Sequence, residues 1–449
     1  MNNTDSLWMA RFKDLDEIEV RRRATLPGIK PNNLRAVDTY RISDVITQTL
    51  NSLYLPTDDD IAIIRQLIDI ARSHSSKYYE SRQRFLEALY SAKSPLDKEF
   101  QPPTLLSGPA GVGKSSLMKA LTRVLFPIES LDIGPGHAPV AYKPIWHIQV
   151  RDRASFSSMI HPFVQSRLGN ARRVSSADLS ELATKAAHTD GTSLILLDEM
   201  QFLTQSAGAT NLITKSLYQF SYLGVPVVFA ANYGLWRSLL KRQEQDTQRL
   251  LTSPIVLLPS EQGSEDWNRY LKGVENLLDG TFSVDLQEHS STIYQLTAGL
   301  KRLFIQLTRL AYSSVWKQGR RQVTIEDLAN SYDSVSYASS RRQVAAMLTI
   351  HPTKQSAQYQ CPIPLPPIVS TRMKEYRESI RHRELTQAIQ HDIRTPNERE
   401  LAAKAAEIAD PIKSTKPRKA NRRKPLTAAE LMQNGQMRRG LYPPPGRPE

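Results

Sequence analysis

The stretch Leu105–Leu121, LLSGPAGVGKSSLMKAL, decides how the rest of this chain is read. Within it, Gly108-Pro109-Ala110-Gly111-Val112-Gly113-Lys114-Ser115 fits G-x-x-x-x-G-K-[ST] at every constrained position. Gly108, Gly111 and Gly113 permit backbone angles that a Cβ forbids, so successive N–H groups can turn inward and wrap a phosphate. Lys114 is expected to reach the β- and γ-phosphates and the Ser115 hydroxyl to ligate Mg²⁺; Ser116 is counted with the nucleotide-binding residues. TLLSG before the loop predicts a short buried strand, and SSLMKALTRVL after it a helix whose N-terminus favours anions. The expected ligands are ATP and Mg²⁺.

A loop of this kind needs an acid at the end of an apolar strand to hold the metal. TSLILLDEMQFL supplies it: Leu194–Leu197 is a continuous apolar run, as a parallel strand covered on both faces requires, and Asp198 follows. Asp198 is expected to hold the metal through water, and Glu199 to polarise the attacking water. A further apolar run, VPVVFAAN, starts at Val225 and ends at Asn232, a polar residue placed to orient water against the γ-phosphate. Alone, an Asn in that position reads as a turn residue.

The order of these parts resembles the AAA+ ATPase core: loop, Asp-Glu strand, Asn-tipped strand, the basic helix LWRSLLKRQEQDTQRLL and a last strand, PIVLLP. The resemblance implies an α/β fold with a central parallel sheet followed by a small helical lid. It also implies an arginine just before the last strand that reaches a neighbouring subunit's γ-phosphate. Arg249 matches that place, with Arg242 and Arg237 as alternatives. In the lid, Gly299-Leu300-Lys301-Arg302 resembles the motif whose arginine senses the γ-phosphate, so Arg302 is assigned that role and Lys301 is the second choice. The closing GRRQVTIEDL matches the lid's last turn and helix, with Thr324 as N-cap two residues before Glu326.

More narrowly, the chain resembles the TnsC/TniB branch, regulators of Tn-seven-like transposons. The features are the long second-strand segment YKPIWHIQVRDRASFSSMIHPFVQSRLG, the acid strand running directly into EMQFLT, and the lid LTAGLKRLFIQLTRLAYSSVWKQGRRQVTIEDL. The resemblance covers about Leu105 to Tyr332. It implies duplex DNA, transposase subunits and a target-selector protein as partners, and a homo-oligomer, as a ring or a helical filament. In AAA+ rings that bind DNA, the face after the second strand lines the central pore. That makes Arg151, Arg153, Arg172 and Arg173 the candidate contacts to backbone phosphates.

The whole chain sets the remaining bounds. Its 449 residues suffice for two domains with tails, and a single cysteine, Cys361, excludes a disulfide within the chain and fits a reducing cytoplasm. No apolar run approaches a membrane-spanning length, no secretory leader is recognisable, and no Cys/His cluster has metal-ligand spacing. A bacterial, cytoplasmic, DNA-associated protein is expected, with no membrane partner. Net charge +14 points to an acidic polymer as partner. From residue 371 onward there are 18 Lys and Arg against 10 Asp and Glu, densest in KSTKPRKANRRKP.

The expected organisation is a helical N-terminal region over 1–100 for partner contacts, with EVRRRATLPGIKPNN as an exposed arm. An α/β ATPase subdomain follows over 101–262, then a helical lid over 263–336, a Pro-rich linker over 337–370 and a basic, largely disordered tail over 371–449. Among functions, an ATP-dependent transposition regulator stands first. A DNA motor or clamp-loader-like remodeller is the alternative, and a nucleotide-controlled signalling switch without DNA the third. Fold alone does not choose among them.

Overall fold

Five short apolar runs form the central sheet of the computed structural model. They are β1 (Thr104–Ser107), β2 (Ile145–Gln149), β3 (Leu194–Asp198), β4 (Val227–Ala231) and β5 (Ser253–Val256). The structure describes residues 8–348 apart from positions 80, 91–98, 127, 152–154, 166–174, 202–208 and 279, together with 359–364. All five strands are parallel, in the order β2-β3-β4-β1-β5. β3 and β4 are buried along their whole length, which is why their sequences are unbroken apolar runs instead of alternating ones.

Side-chain alternation splits the sheet between two cores. Leu106, Leu194, Leu196, Val228 and Ala230 join a cluster with the helix Lys114–Val124. Leu105, Ile195, Leu197, Phe229 and Ala231 face the other way, into a cluster that includes Phe156, Ile160, Leu217, Phe220 and Trp236. The register sets the polar ends of the strands side by side: Ser107 lies opposite Ala231 of β4 and Val256 of β5, and Gln149 opposite Asp198. The loop after β1 and the acid at the end of β3 therefore open on one edge of the sheet, outside the carboxyl ends of the strands, where ligands of open α/β sheets bind.

The N-terminal segment shares the first core with the helices that follow the sheet. Helix Ile42–Asn51 packs on helix Lys301–Lys317, and Ile46, Leu50, Phe304, Leu307 and Ala311 lie in one apolar cluster. Trp316 Nε1 donates to the Val37 carbonyl at 3.1 Å, and Arg35 Nη2 to the Gly280 carbonyl at 2.7 Å. The expected exposed arm is half helix. Glu17–Ala24 starts at Asp16, whose side chain accepts from Glu19 N, and Glu19 pairs with Arg22 and Arg23. Val20 and Ala24 are fully buried, and Arg123 Nη2 donates to the Ala24 carbonyl at 2.5 Å. One buried stripe at i, i+4 is enough to dock so short a helix, and the run of arginines hides it in the sequence.

Beyond the sheet come the helices Glu265–Leu277, Ser290–Thr297, Lys301–Lys317 and Ile325–Asp333. Thr324 caps the last of them, as its residue type suggests, and Asp327 at the third helical position completes a capping box. A further helix, Ala338–Leu348, extends the helical layer past residue 336 into the segment expected to be linker. It is pinned by the Tyr337 hydroxyl donating to the Leu296 carbonyl at 3.1 Å and Ser340 Oγ donating to Gln306 Oε1 at 2.8 Å. Within the Pro-rich stretch, residues 359–364 dock on the core: Arg237 donates to the Gln360 carbonyl, and Cys361 and Ile363 pack against the second cluster. The tail from 371 lies outside the described residues. Among the described residues no helix is long and apolar enough to cross a membrane.

Candidate functional site

The loop and the strand ends form one cleft of about 550 Å³. Gly111 and Gly113 take φ of +87° and +119°, the left-handed region that the motif's glycines anticipate, and Gly113 caps helix Lys114–Val124. Gly108 is needed for room, since a Cβ there would meet the Leu257 carbonyl oxygen at 2.4 Å. Pro109 and Val112 are buried in the loop, while Ala110 and Ser116 are exposed toward the cleft.

Lys114 Nζ donates to the carbonyls of Gly108 and Pro109, at 2.9 and 3.1 Å. Burial pulls its pKa down to about 8 against the attraction of Glu199 and Asp198, with Arg302 adding to the depression. A phosphate arriving here would supply the counter-charge that the ammonium lacks. Ser115 Oγ donates to Asp198 Oδ1 at 3.0 Å, and the Glu199 N–H donates to the same oxygen at 2.9 Å. Burial opposes ionisation of Asp198, yet its carboxyl is held below the usual range by the nearby His147 ring and by hydrogen bonds from Ser115 and the Glu199 backbone. Asp198 Oδ2 is buried without a hydrogen-bond partner, 3.9 Å from His147 Nε2.

A hydroxyl and a carboxylate with a spare buried oxygen form the donor set that Mg²⁺ uses when a nucleotide supplies the other oxygens. The residues present thus fit the metal. Among the described residues no group of three His, Cys, Asp or Glu side chains makes a self-sufficient metal site.

Glu199 stands in a left-handed backbone conformation, φ +62°, unusual for a residue with a Cβ. Its carboxylate is held by a hydrogen bond from Gln201 Nε2. Asn232 lines the cleft, with its Oδ1 accepting from Leu235 N at 2.9 Å as N-cap of helix Tyr233–Leu240. Its side-chain amide is a donor in addition, so the turn role and a role toward the γ-phosphate use different atoms.

Arg302 lies over the loop, its Nε 2.5 Å from where a Cβ on Gly111 would be. Its neighbour Lys301 is committed elsewhere. Lys301 Nζ donates to the Leu55 carbonyl at 3.2 Å, stands 3.9 Å from Asp60, and lies over the rings of Tyr54 and Tyr270. The structure therefore brings Arg302 rather than Lys301 against the phosphate loop.

Other sequence candidates lie away from the cleft. Arg249 is exposed on helix Glu244–Leu250, its guanidinium 5.6 Å from the Phe100 ring centroid. Its alternatives are engaged within the chain: Arg242 pairs with Asp246 at 3.0 Å and bonds Asn211, and Arg237 holds the Gln360 carbonyl. Arg151 is exposed just past β2, while Arg153, Arg172 and Arg173 lie outside the described residues.

Sequence reasoning missed the far end of the cleft. Thr47, Leu50, Asn51, Leu53 and Tyr54 of the N-terminal segment meet Tyr270 and Ile305 there, an apolar and aromatic setting suited to a nucleobase. It also missed Gln201 and Gln343. No short motif marks the N-terminal residues or Gln343, which come to the site only through the tertiary fold, and Gln201, two residues past Glu199, carries no motif of its own.

Among curated proteins none matches the chain. Solved structures do. The Aeropyrum pernix ORC2 protein is 12% identical, with 62% of this chain and 68% of that one covered and a TM-score of 0.41. Cdc6p from Pyrobaculum aerophilum is 14% identical over 70% and 85%, with a TM-score of 0.39. The Aeropyrum pernix ORC1 protein, solved in complex with DNA, is 16% identical over 66% and 68%, with a TM-score of 0.37. At these values the likeness says nothing of substrate or partner. Residues 99–239 match the family model of the AAA domain, and that region holds the phosphate loop and four of the five parallel strands.

Proposed function

We propose that this protein is an ATP-hydrolysing, DNA-binding regulator of transposition. It assembles as a homo-oligomer on duplex target DNA, links a target-selector protein to the transposase, and comes apart when ATP is hydrolysed. The observation that carries the reading is the convergence of Lys114, the Ser115–Asp198 pair, Glu199 and Arg302 on one cleft. The net charge of +14 supports a nucleic-acid partner, and the sequence resemblance of the lid and acid strand supports the narrower role.

The chemistry follows from the residues. The loop N–H groups and Lys114 bind the phosphates, and Ser115 and Asp198 would hold Mg²⁺, which neutralises charge on the β- and γ-oxygens. Glu199 lines the cleft next to the Ser115–Asp198 pair, so it takes the role of polarising water. Gln201 holds that carboxylate with a hydrogen bond, so for Glu199 to polarise water Gln201 must let go. Arg302 leaves Gly111 to meet the γ-phosphate, drawing the lid with it. Arg249, exposed and outside its own cleft, is available to the cleft of a neighbouring subunit. Energetically ATP favours the assembly only through its tighter binding to the assembled state.

The test is DNA binding with and without a non-hydrolysable ATP analogue, read by electron microscopy and by anisotropy at two salt concentrations. Ordered assemblies are expected only with the analogue, with affinity falling steeply with salt, and Lys114→Ala protein should form none. Equal DNA binding by Lys114→Ala, or no dependence on nucleotide, would sink the proposal.

A further inference from the structure

We propose that Gln343, on the helix Ala338–Leu348, is a positioning residue for the phosphate loop and so sets nucleotide affinity from outside the α/β subdomain. The inference rests on the nucleotide site proposed above.

Gln343 Nε2 donates to the Ala110 carbonyl at 2.9 Å, and its Oε1 accepts from Arg302 Nη2 at 3.5 Å. The side chain is 7% exposed. The peptide joining Ala110 to Gly111 is trans and planar, so its C=O and N–H point in opposite directions. Holding the Ala110 carbonyl toward Gln343 turns the Gly111 N–H away from that helix and leaves it for a phosphate oxygen. Gly111, at φ +87° and lacking a Cβ, has little of its own to fix that peptide plane. Were the plane to flip, the loop would offer an incoming phosphate a carbonyl oxygen in place of a donor.

The anchor is itself fixed. Arg341 Nη1 donates to the Tyr332 carbonyl at 2.6 Å, Ser340 bonds Gln306 on the helix that carries Arg302, and Val344 is buried in the shared core. Gln343 therefore presents its amide from a helix bonded to the lid at several points, and it touches both the loop and the lid arginine. A movement of the lid reaches the Ala110 peptide through this amide as well as through Arg302 over Gly111. The same amide's oxygen accepts from Arg302 over Gly111, a contact that a phosphate can displace.

Binding of fluorescent ADP and of an ATP analogue to the full chain tests this with two variants. Gln343→Leu removes both contacts at similar volume. Gln343→Glu keeps an acceptor for Arg302 but loses the donor to Ala110. Gln343→Leu should weaken ADP and ATP-analogue binding by the same factor, about 2- to 12-fold, the range that one neutral hydrogen bond gives, and Gln343→Glu, which sets a carboxylate oxygen against the Ala110 carbonyl, should weaken both at least as much. KM for ATP should rise by that factor with kcat unchanged, the signature of lost uniform binding. The nucleotide-free variants should still unfold cooperatively, at a melting temperature only a few degrees below the parent's, as loss of one or two buried hydrogen bonds gives.

If the parent binds nucleotide and both variants bind it equally well, the positioning role is wrong and the nucleotide site stands. Parent-like ADP binding by Gln343→Glu alone would also overturn the proposal, since the contact that matters would then be the one to Arg302. If the parent binds no nucleotide, the site reading itself falls and this inference with it.

Discussion

Lowering the pH from 7.5 to 5 should cost this protein about 4 kcal/mol through two buried imidazoles. His188 is 2% exposed, its ring 5.2 Å from Tyr79 and 5.4 Å from Phe85 between centroids, with neither ring nitrogen hydrogen-bonded. His74 is 6% exposed beside Tyr78, and its Nε2 has no partner. Burial pushes His188 down to about 4 and His74 down to about 3, the latter helped by His188 and Lys77. Both folded values lie below the unfolded one of about 6.5, so the unfolded chain binds more protons in acid. The stability is fully present above about pH 6.5 and is lost as the pH falls toward 4 and 3. At pH 5 an unfolded imidazole is almost fully charged while each folded one is still neutral, which costs about 2 kcal/mol per ring. Urea unfolding at both pH values measures the parent's loss, and His188→Phe, an apolar ring among aromatics, isolates one contribution. The variant's loss should be smaller than the parent's by about 2 kcal/mol. Equal losses in the two proteins would refute the assignment of a proton-free imidazole to this cluster.

Glu199→Gln should bind ATP normally while hydrolysis slows ~10²-fold or more, and its DNA assemblies should persist; release as fast as the parent's would show that hydrolysis is not the release step. Arg249→Ala should bind ATP as the isolated subunit does but lose stimulated hydrolysis. Mixed with Lys114→Ala protein it should regain activity at interfaces pairing an intact site with an intact Arg249. Absence of recovery at any ratio would rule out an arginine acting across subunits.

The parts of the site that could be read in the sequence are those that the chain writes contiguously. Eight consecutive residues specify the loop, and two unbroken apolar runs specify β3 and β4, because burial on both faces leaves no polar position to interrupt them. Only the resemblance to the lid motif ranks Arg302 above Lys301 in the sequence; the physical difference, that Asp60 and the Leu55 carbonyl capture Lys301, lies in the tertiary fold. Gln343 acts 233 positions from Ala110, and a single glutamine on an amphipathic helix carries no sign of such a contact. The arm was misjudged for a related reason. Three arginines dominate EVRRRA to the eye, while two buried positions, Val20 and Ala24, decide where it lies.

The left-handed backbone at Glu199 sets folding and chemistry against each other at one position. Glycine or asparagine adopts such a φ far more readily than glutamate, so a sequence optimised for this backbone alone would not place a glutamate there. Selection for heat resistance alone should therefore drift away from Glu199 and yield sturdier proteins that have lost turnover. A laboratory lineage evolved for activity and one evolved for ruggedness would be expected to part company at this residue first.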